Sequence, residues 1–136
     1  MITCAMCDDE LPFAEQLRSL VMAYAKKKRV ELQAETFASA EELLEEIENG
    51  AGFEILFLDI EMRKMDGIEL GKKLRERSYQ TLIIYVSGYD QYMRQLFEAE
   101  PFRFLSKPLK QEELENVLDK AFERMSCLRF VLEKTW

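Results

Sequence analysis

The chain contains no histidine among its 136 residues. This absence excludes serine–histidine and cysteine–histidine nucleophile pairs, histidine-ligated zinc sites and a phosphohistidine within the chain. No apolar run approaches the roughly 20 residues of a membrane-spanning helix. No basic segment followed by an apolar core opens the sequence, so a signal peptide is not expected. We therefore expect a cytoplasmic protein without a membrane partner, whose chemistry uses carboxylates, lysine and hydroxyl groups.

Cysteine is scarce, and its spacing does not indicate redox chemistry. Cys4 and Cys7 form a C-x-x-C pattern inside an apolar run, whereas a thioredoxin-like pair would lie at a helix start. On a strand, residues three positions apart point to opposite faces of the sheet. We expect both to be small buried hydrophobic side chains.

Basic residues are outnumbered, with 19 lysines and arginines against 26 acidic residues and a net charge of −7. Such a chain is a poor direct binder of nucleic-acid phosphates. The basic run Lys26–Arg29 is expected to lie at the solvated end of a helix. Binding to DNA would therefore require a further domain.

Apolar strand-like runs alternate with helical patterns along the whole chain. Pro12 suits the first turn of the first helix, and Ser39 with Glu42 forms a capping box before the second. A short fourth helix is predicted over Tyr92–Phe97 and a fifth over Leu109–Met125. The predicted strands are Ile2–Cys7, Val30–Phe37, Phe53–Leu58, Leu82–Val86 and Phe102–Leu105. This alternation predicts an α/β domain, with a five-stranded parallel sheet covered by helices on both faces.

Polar residues follow these strands where the apolar runs end. Asp8 and Asp9 follow the first run, Asp59 the third, Ser87 the fourth and Lys107 the fifth. The carboxyl ends of parallel strands meet at one edge of a sheet, where ligands bind. Clustered carboxylates are costly unless a cation neutralises them, and an oxygen-only cluster suits Mg²⁺. We therefore predict a magnesium site at this edge, with the lysine as a second, fixed positive charge.

These motifs together resemble the receiver domain of two-component response regulators, over nearly the whole chain from Ile2 to about Met125. The motifs are Asp8-Asp9, the stretch Asp59–Gly67, Ser87 and Lys107-Pro108. The residues of these motifs are most similar to those of receiver domains that are attached to LytTR-type DNA-binding domains. The resemblance implies a doubly wound, flavodoxin-like sheet of order 2-1-3-4-5 and a sensor histidine kinase as partner.

The resemblance also implies roles for single residues. It implies that Asp59 is the phosphoacceptor. It also implies that the chain is not an enzyme, apart from catalysing its own phosphotransfer and dephosphorylation. It implies Asp9, Asp59 and the Glu61 carbonyl as Mg²⁺ ligands, with Asp8 acting through coordinated water. It implies that Lys107 pairs with the phosphoryl group and that Ser87 donates a hydrogen bond to it. Glu61 and Tyr89 would flank the path of the attacking water and so set the lifetime of the phosphoryl group. The Lys107–Pro108 peptide bond is expected to be cis.

Signal output is expected at the face formed by the fourth helix, the fifth strand and the fifth helix. Ser87 and Phe104 would switch that face, which would form a phosphorylation-dependent homodimer and regulate transcription. We interpret residues 1–125 as the receiver domain and residues 126–136 as a linker or the start of a missing LytTR-type DNA-binding domain. Leu128, Phe130 and Leu132 alternate with polar residues there, which predicts the beginning of a strand.

Two residues depart from the family pattern. Arg63 stands where the family usually has proline, so a more mobile loop after Asp59 is expected. Phe104 replaces the commoner tyrosine and cannot form a hydrogen bond, so any switch there must work through packing.

Two other functions fit parts of the pattern. Haloacid-dehalogenase-like phosphatases also combine a nucleophilic aspartate, a hydroxyl, a lysine and acidic metal ligands, but their acidic pair follows the lysine in the chain. A phosphate-independent interaction module is the second alternative, and a Mg²⁺-dependent response to an acyl phosphate would distinguish it.

Overall fold

The computed structural model describes residues 1–77, 79–88 and 99–134, with side chains given up to residue 126. Strands and helices alternate through these ranges. The strands are β1 (Ile2–Cys7), β2 (Leu32–Phe37), β3 (Ile55–Asp59), β4 (Leu82–Ser87) and β5 (Arg103–Ser106). The helices of the described part are α1 (Leu11–Lys27), α2 (Ala40–Glu48), α3 (Gly67–Glu76) and α4 (Gln111–Lys134). The helix predicted over Tyr92–Phe97 lies outside the described residues.

The five strands form one parallel sheet in the order β2-β1-β3-β4-β5. The order implied by the resemblance and the predicted α/β fold class are both confirmed. All residues of the central strand β3 are buried, as expected for a parallel strand covered on both faces. The edge strand β2 alternates between buried and exposed positions in its first half.

Each face of the sheet carries its own hydrophobic core. Met6 and Phe57 point toward α1 and α4, whereas Ala5 and Leu58 point toward α2 and α3. Cys4 and Cys7 divide between the two cores as predicted, and both are buried free thiols. Burial raises the pKa of Cys4 to about 12, so that thiol is not a nucleophile at neutral pH.

Several helix ends follow their sequence signals. Pro12 lies in the first turn of α1, and the exposed basic residues Lys26 and Lys27 close that helix. The Ser39 Oγ accepts a hydrogen bond of 3.1 Å from the Glu42 amide, so the predicted cap of α2 forms. Within the described ranges, no helix is long and apolar enough to cross a membrane.

The prediction that a strand begins within residues 126–136 is wrong, because α4 continues as a helix to Lys134. Leu128 and Leu132 are four residues apart, and Met125 precedes Leu128 by three, which is also helical spacing. A helix that has already formed extends at little cost, since nucleation is its unfavourable step. The short alternating pattern therefore could not distinguish the two structures.

The Arg75 guanidinium ties the end of α3 to the segments that lead into β4 and β5. It donates hydrogen bonds to the carbonyl oxygens of Ala99, Tyr79, Thr81 and Glu100, at 2.8, 3.0, 2.9 and 3.0 Å. Hydrogen bonds from a charged group are stronger than neutral ones. This contact holds the starting points of β4 and β5 relative to α3.

Gly71 lets α3 pack closely on β4. Tyr85 is fully buried in β4, and its hydroxyl has no hydrogen-bond partner within the described ranges. A Cβ atom at Gly71 would overlap that hydroxyl oxygen. The same Cβ would lie 2.9 Å from the Ala99 Cβ. A side chain at position 71 therefore requires the helix or the tyrosine to move.

We expect Gly71→Ala to lower the free energy of unfolding by roughly 1–3 kcal/mol, because the added methyl group overpacks the core. Tyr85→Phe should be close to neutral, since it removes a buried hydroxyl that has no hydrogen-bond partner in the described part of the chain. The double variant should regain part of the loss, as the main overlap is with the hydroxyl. Urea unfolding of the four proteins measures this coupling, and strictly additive effects would contradict it.

Candidate functional site

Three carboxylates meet at the carboxyl edge of the sheet, where the strand ends were predicted to collect them. Asp59 is the last residue of β3, and Asp8 and Asp9 directly follow β1. One carboxylate oxygen from each lies within 4.8 Å of the other two. Asp8 and Asp59 are buried, whereas Asp9 is exposed. One end of the cluster is therefore open to solvent.

Lys107 supplies the positive charge next to this cluster. Its Nζ lies 3.0 Å from Asp8 Oδ2 and 3.3 Å from Asp59 Oδ1. The Lys107 backbone N–H donates to the Ser87 carbonyl at 3.0 Å, which fixes the residue beside the end of β4. The Lys107–Pro108 peptide bond is cis, as the resemblance implied.

The charges of this site perturb one another. The pKa of Asp59 is raised to about 7, first by burial and then by the neighbouring Asp8 charge, although Lys107 opposes both effects. Burial alone would lower the pKa of Lys107, but its hydrogen bonds and ion pairs with Asp8 and Asp59 raise it. One ammonium group therefore does not compensate three neighbouring carboxylates. This hard oxygen cluster fits a divalent cation such as Mg²⁺.

Ser87 and Phe104 lie on neighbouring strands, Ser87 at the carboxyl edge and Phe104 two register positions before it. Ser87 ends β4, is buried and is in register with Ser106 of β5. Phe104 is opposite Tyr85, is half-buried and packs against the core on the α2 and α3 side. Both residues of the predicted switch pair therefore lie on strands that end at the site, and their role stays a prediction.

The loop after β3 contacts the acidic cluster through its backbone. The Arg63 N–H donates to Asp9 Oδ2 at 3.4 Å, a contact that the proline usual in the family could not make. The Glu61 side chain is exposed and is not among the clustered carboxylates of the described residues. Its predicted metal ligand is the backbone carbonyl, and this stays a prediction.

Gly67 allows α3 to begin directly against Asp59. Its N–H donates to the Ile60 carbonyl at 3.0 Å, and a Cβ atom at this position would overlap the Asp59 carbonyl oxygen. The Asp66 carboxylate caps the helix by accepting a hydrogen bond of 2.8 Å from the Glu69 amide. The residues after Asp59 thus hold the end of β3 in place.

One residue of the site was missed by the sequence analysis. The Phe13 ring centroid lies 4.3 Å from Lys107 Nζ. In the sequence, Phe13 has only the helical spacing of an ordinary apolar residue of α1. No motif marks this contact. Tyr89 and the segment Tyr92–Phe97, which the predicted water path and output face include, lie outside the described residues.

A family model for the response regulator receiver domain matches residues 5–119. The match spans most of the chain, so the chain belongs to the receiver domain family of response regulators, which act in two-component signal transduction. Receiver domains generally bind Mg²⁺ at an acidic pocket, and this chain brings Asp8, Asp9 and Asp59 together in an acidic cluster.

Among individual proteins, the chain is similar to LytTR-type regulators. The sensory transduction protein LytT of Bacillus cereus is 29% identical over 120 residues, which are 88% of this chain and 47% of that protein. An uncharacterized response regulatory protein of Yersinia pestis is 32% identical over 120 residues, 88% of this chain and 48% of that protein. The chain thus spans about half the length of these curated relatives.

The fold also matches solved structures. The crystal structure of the response regulatory domain of protein mrkE from Klebsiella pneumoniae superposes with a TM-score of 0.80. The match covers 90% of this chain and 97% of that chain at 18% identity. At this identity the likeness establishes the shared fold alone.

The raised pKa of Asp59 predicts how the metal-free protein responds to pH. Between about 3.8 and about 7 the folded state binds more protons at this carboxyl than the unfolded state does. Stability should therefore fall as the pH rises through this window. Asp59→Asn should flatten the dependence and stabilise the protein at pH 8, by on the order of 2 kcal/mol.

Urea unfolding in EDTA from pH 5 to pH 8 measures this effect. Glu45→Gln, at an exposed position of α2, is the matched control and should keep the wild-type dependence. An identical pH dependence in wild type and Asp59→Asn would show that Asp59 is not the group responsible.

Proposed function

We propose that this chain is a phosphoacceptor receiver domain in which Asp59 takes one phosphoryl group from a sensor histidine kinase in a Mg²⁺-dependent reaction. The observation that carries the proposal is the position of Asp59. Its carboxylate ends a buried strand, shares a 4.8 Å cluster with Asp8 and Asp9, and lies 3.3 Å from Lys107 Nζ.

The chemistry follows from these neighbours. A carboxylate can act as a covalent nucleophile toward phosphorus. An Asp59 oxygen forms the new bond to phosphorus while the bond from phosphorus to the donor nitrogen or acyl oxygen breaks. Phosphoryl transfer depends mainly on positioning and charge neutralisation, and Lys107 is placed to neutralise the phosphoryl oxygens. The donor must be external, because the chain has no histidine.

The acidic cluster would hold the metal. Asp9, Asp59 and the Glu61 carbonyl are the proposed Mg²⁺ ligands, with Asp8 acting through coordinated water. When bound, Mg²⁺ supplies positive charge that favours ionised Asp59 and offsets the charge of the phosphoryl group. Lys107 keeps its own ion pair with the buried Asp8 carboxylate. In this proposal the chain is not an enzyme that acts on other substrates, because it only takes up and loses its own phosphoryl group.

The proposed output is transcription regulation through a homodimer. Ser87 would hydrogen-bond the phosphoryl group, and the half-buried Phe104 would repack into the space this opens. Close-packed cores favour discrete alternative packings, which can change the surface of β5, α4 and the residue 92–97 segment. DNA would be contacted only by a further domain, in keeping with relatives about twice as long as this chain.

We expect incubation with Mg²⁺ and acetyl phosphate to add one phosphate to the protein. Asp59→Asn should add none, and Asp9→Ala should react much more slowly because a metal ligand is lost. Intact-mass spectrometry over time measures all three proteins. Uptake by Asp59→Asn at the wild-type rate would assign the phosphoacceptor elsewhere, and repeated turnover of a small phosphate ester would favour the phosphatase alternative.

We expect beryllofluoride, a stable phosphoryl mimic, to shift the protein from monomer toward dimer. Analytical ultracentrifugation with and without the mimic measures the shift, with Asp59→Asn as the unresponsive control. Amide hydrogen exchange over residues 88–106 should change in parallel. If neither the sedimentation nor the exchange responds in the wild type, the signal leaves by another face.

A further inference from the structure

The Lys107 ammonium group has an aromatic neighbour besides its two carboxylates. Asp8 Oδ2 and Asp59 Oδ1 accept from it at 3.0 and 3.3 Å, and the Phe13 ring centroid lies 4.3 Å from it. A cation within about 6 Å of a ring centroid is attracted by the ring quadrupole. The ammonium group is therefore held by groups from the turn after β1, from the end of β3 and from α1.

The turn that carries Asp8 fixes the backbone position of Phe13. The Glu10 N–H donates to Asp8 Oδ1 at 2.8 Å, and the Phe13 N–H donates to the Glu10 carbonyl at 3.0 Å. Asp8 thus uses one oxygen to hold this turn and the other to bind Lys107. The half-buried ring also packs against the core between the sheet and α1.

An aromatic ring suits this position better than a further acid. Lysine carries its charge on a flexible four-carbon stem, so its ammonium group must be confined to act at one place. Another carboxylate would also confine it, but would raise the pKa of Asp59 further and compete for a metal ion. The ring attracts the ammonium group without adding negative charge.

We propose that Phe13 is a positioning residue that holds Lys107 Nζ where it can neutralise a phosphoryl group on Asp59. This inference rests on the proposed function. Phe13 touches no reacting atom and acts only through Lys107. Replacing the ring by an aliphatic side chain frees the lysine stem, whereas another aromatic ring retains the contact.

Phosphate uptake from acetyl phosphate is the first test. Phe13→Leu should slow it by about two- to thirtyfold, which is the range of cation–π energies expressed as a rate ratio. Phe13→Tyr should keep a rate near wild type. Leu20→Ala is the matched control, because Leu20 lines the same groove beside Lys107 and contributes no aromatic ring. Thermal unfolding of each variant verifies that the folded protein is compared.

The second test observes the contact without any phosphoryl chemistry. The Lys107 side-chain protons should show an upfield ring-current shift in NMR spectra of the wild type and Phe13→Tyr. The shift should be absent in Phe13→Leu and present in Leu20→Ala. This readout does not depend on phosphorylation. If the wild type takes up no phosphate, the proposed function is refuted, and the contact between the lysine and the ring can still be measured.

Specific outcomes would overturn the inference. Equal rates in wild type and Phe13→Leu would show that the ring does not position Lys107. An equal loss in Phe13→Leu and Phe13→Tyr, or in Phe13→Leu and Leu20→Ala, would assign the effect to packing of the groove. Retention of the ring-current shift in Phe13→Leu would remove the structural basis.

Discussion

The site depends on the single ammonium group of Lys107 among three carboxylates. Without it, Asp8 and Asp59 would place two buried negative charges side by side, which is among the least favourable arrangements in a protein. With it, the Asp59 pKa still stays near 7, so the cluster remains under-compensated. The folded site therefore has an excess of negative charge that favours binding of a further cation. The same excess charge lowers the stability of the protein and governs the chemistry of the site.

The parallel sheet produces this arrangement. β1, β3, β4 and β5 end at the same edge, so residues far apart in the chain arrive together without special local structure. The surrounding backbone then secures them. Gly67 admits the start of α3 against Asp59, the Arg63 N–H contacts Asp9, and the Ser87 carbonyl holds the Lys107 backbone. Membership of the receiver family agrees with this geometry, while the output of the signal stays a proposal.

Much of the fold could be read from periodicity, because buried parallel strands are continuous apolar runs and helices carry caps. The strand order came from resemblance, since hydrophobic patterns do not specify which strands are neighbours. The strand predicted beyond Met125 was wrong because a few apolar residues fit both periods. Asp8, Asp9, Asp59, Ser87 and Lys107 could be predicted because each follows an apolar run. Phe13 could not, because an aromatic residue at helical spacing is indistinguishable from an ordinary core residue.

The sequence by itself determined which chemical groups are present, where the strands end, and that no histidine can take part. Those facts are local, so they can be read along the chain. Only the tertiary structure decided the pKa of Asp59, the ion pairs of Lys107 and the approach of the Phe13 ring. These properties depend on burial and on distances of a few ångströms between separate elements, because desolvation and Coulomb interactions act through space.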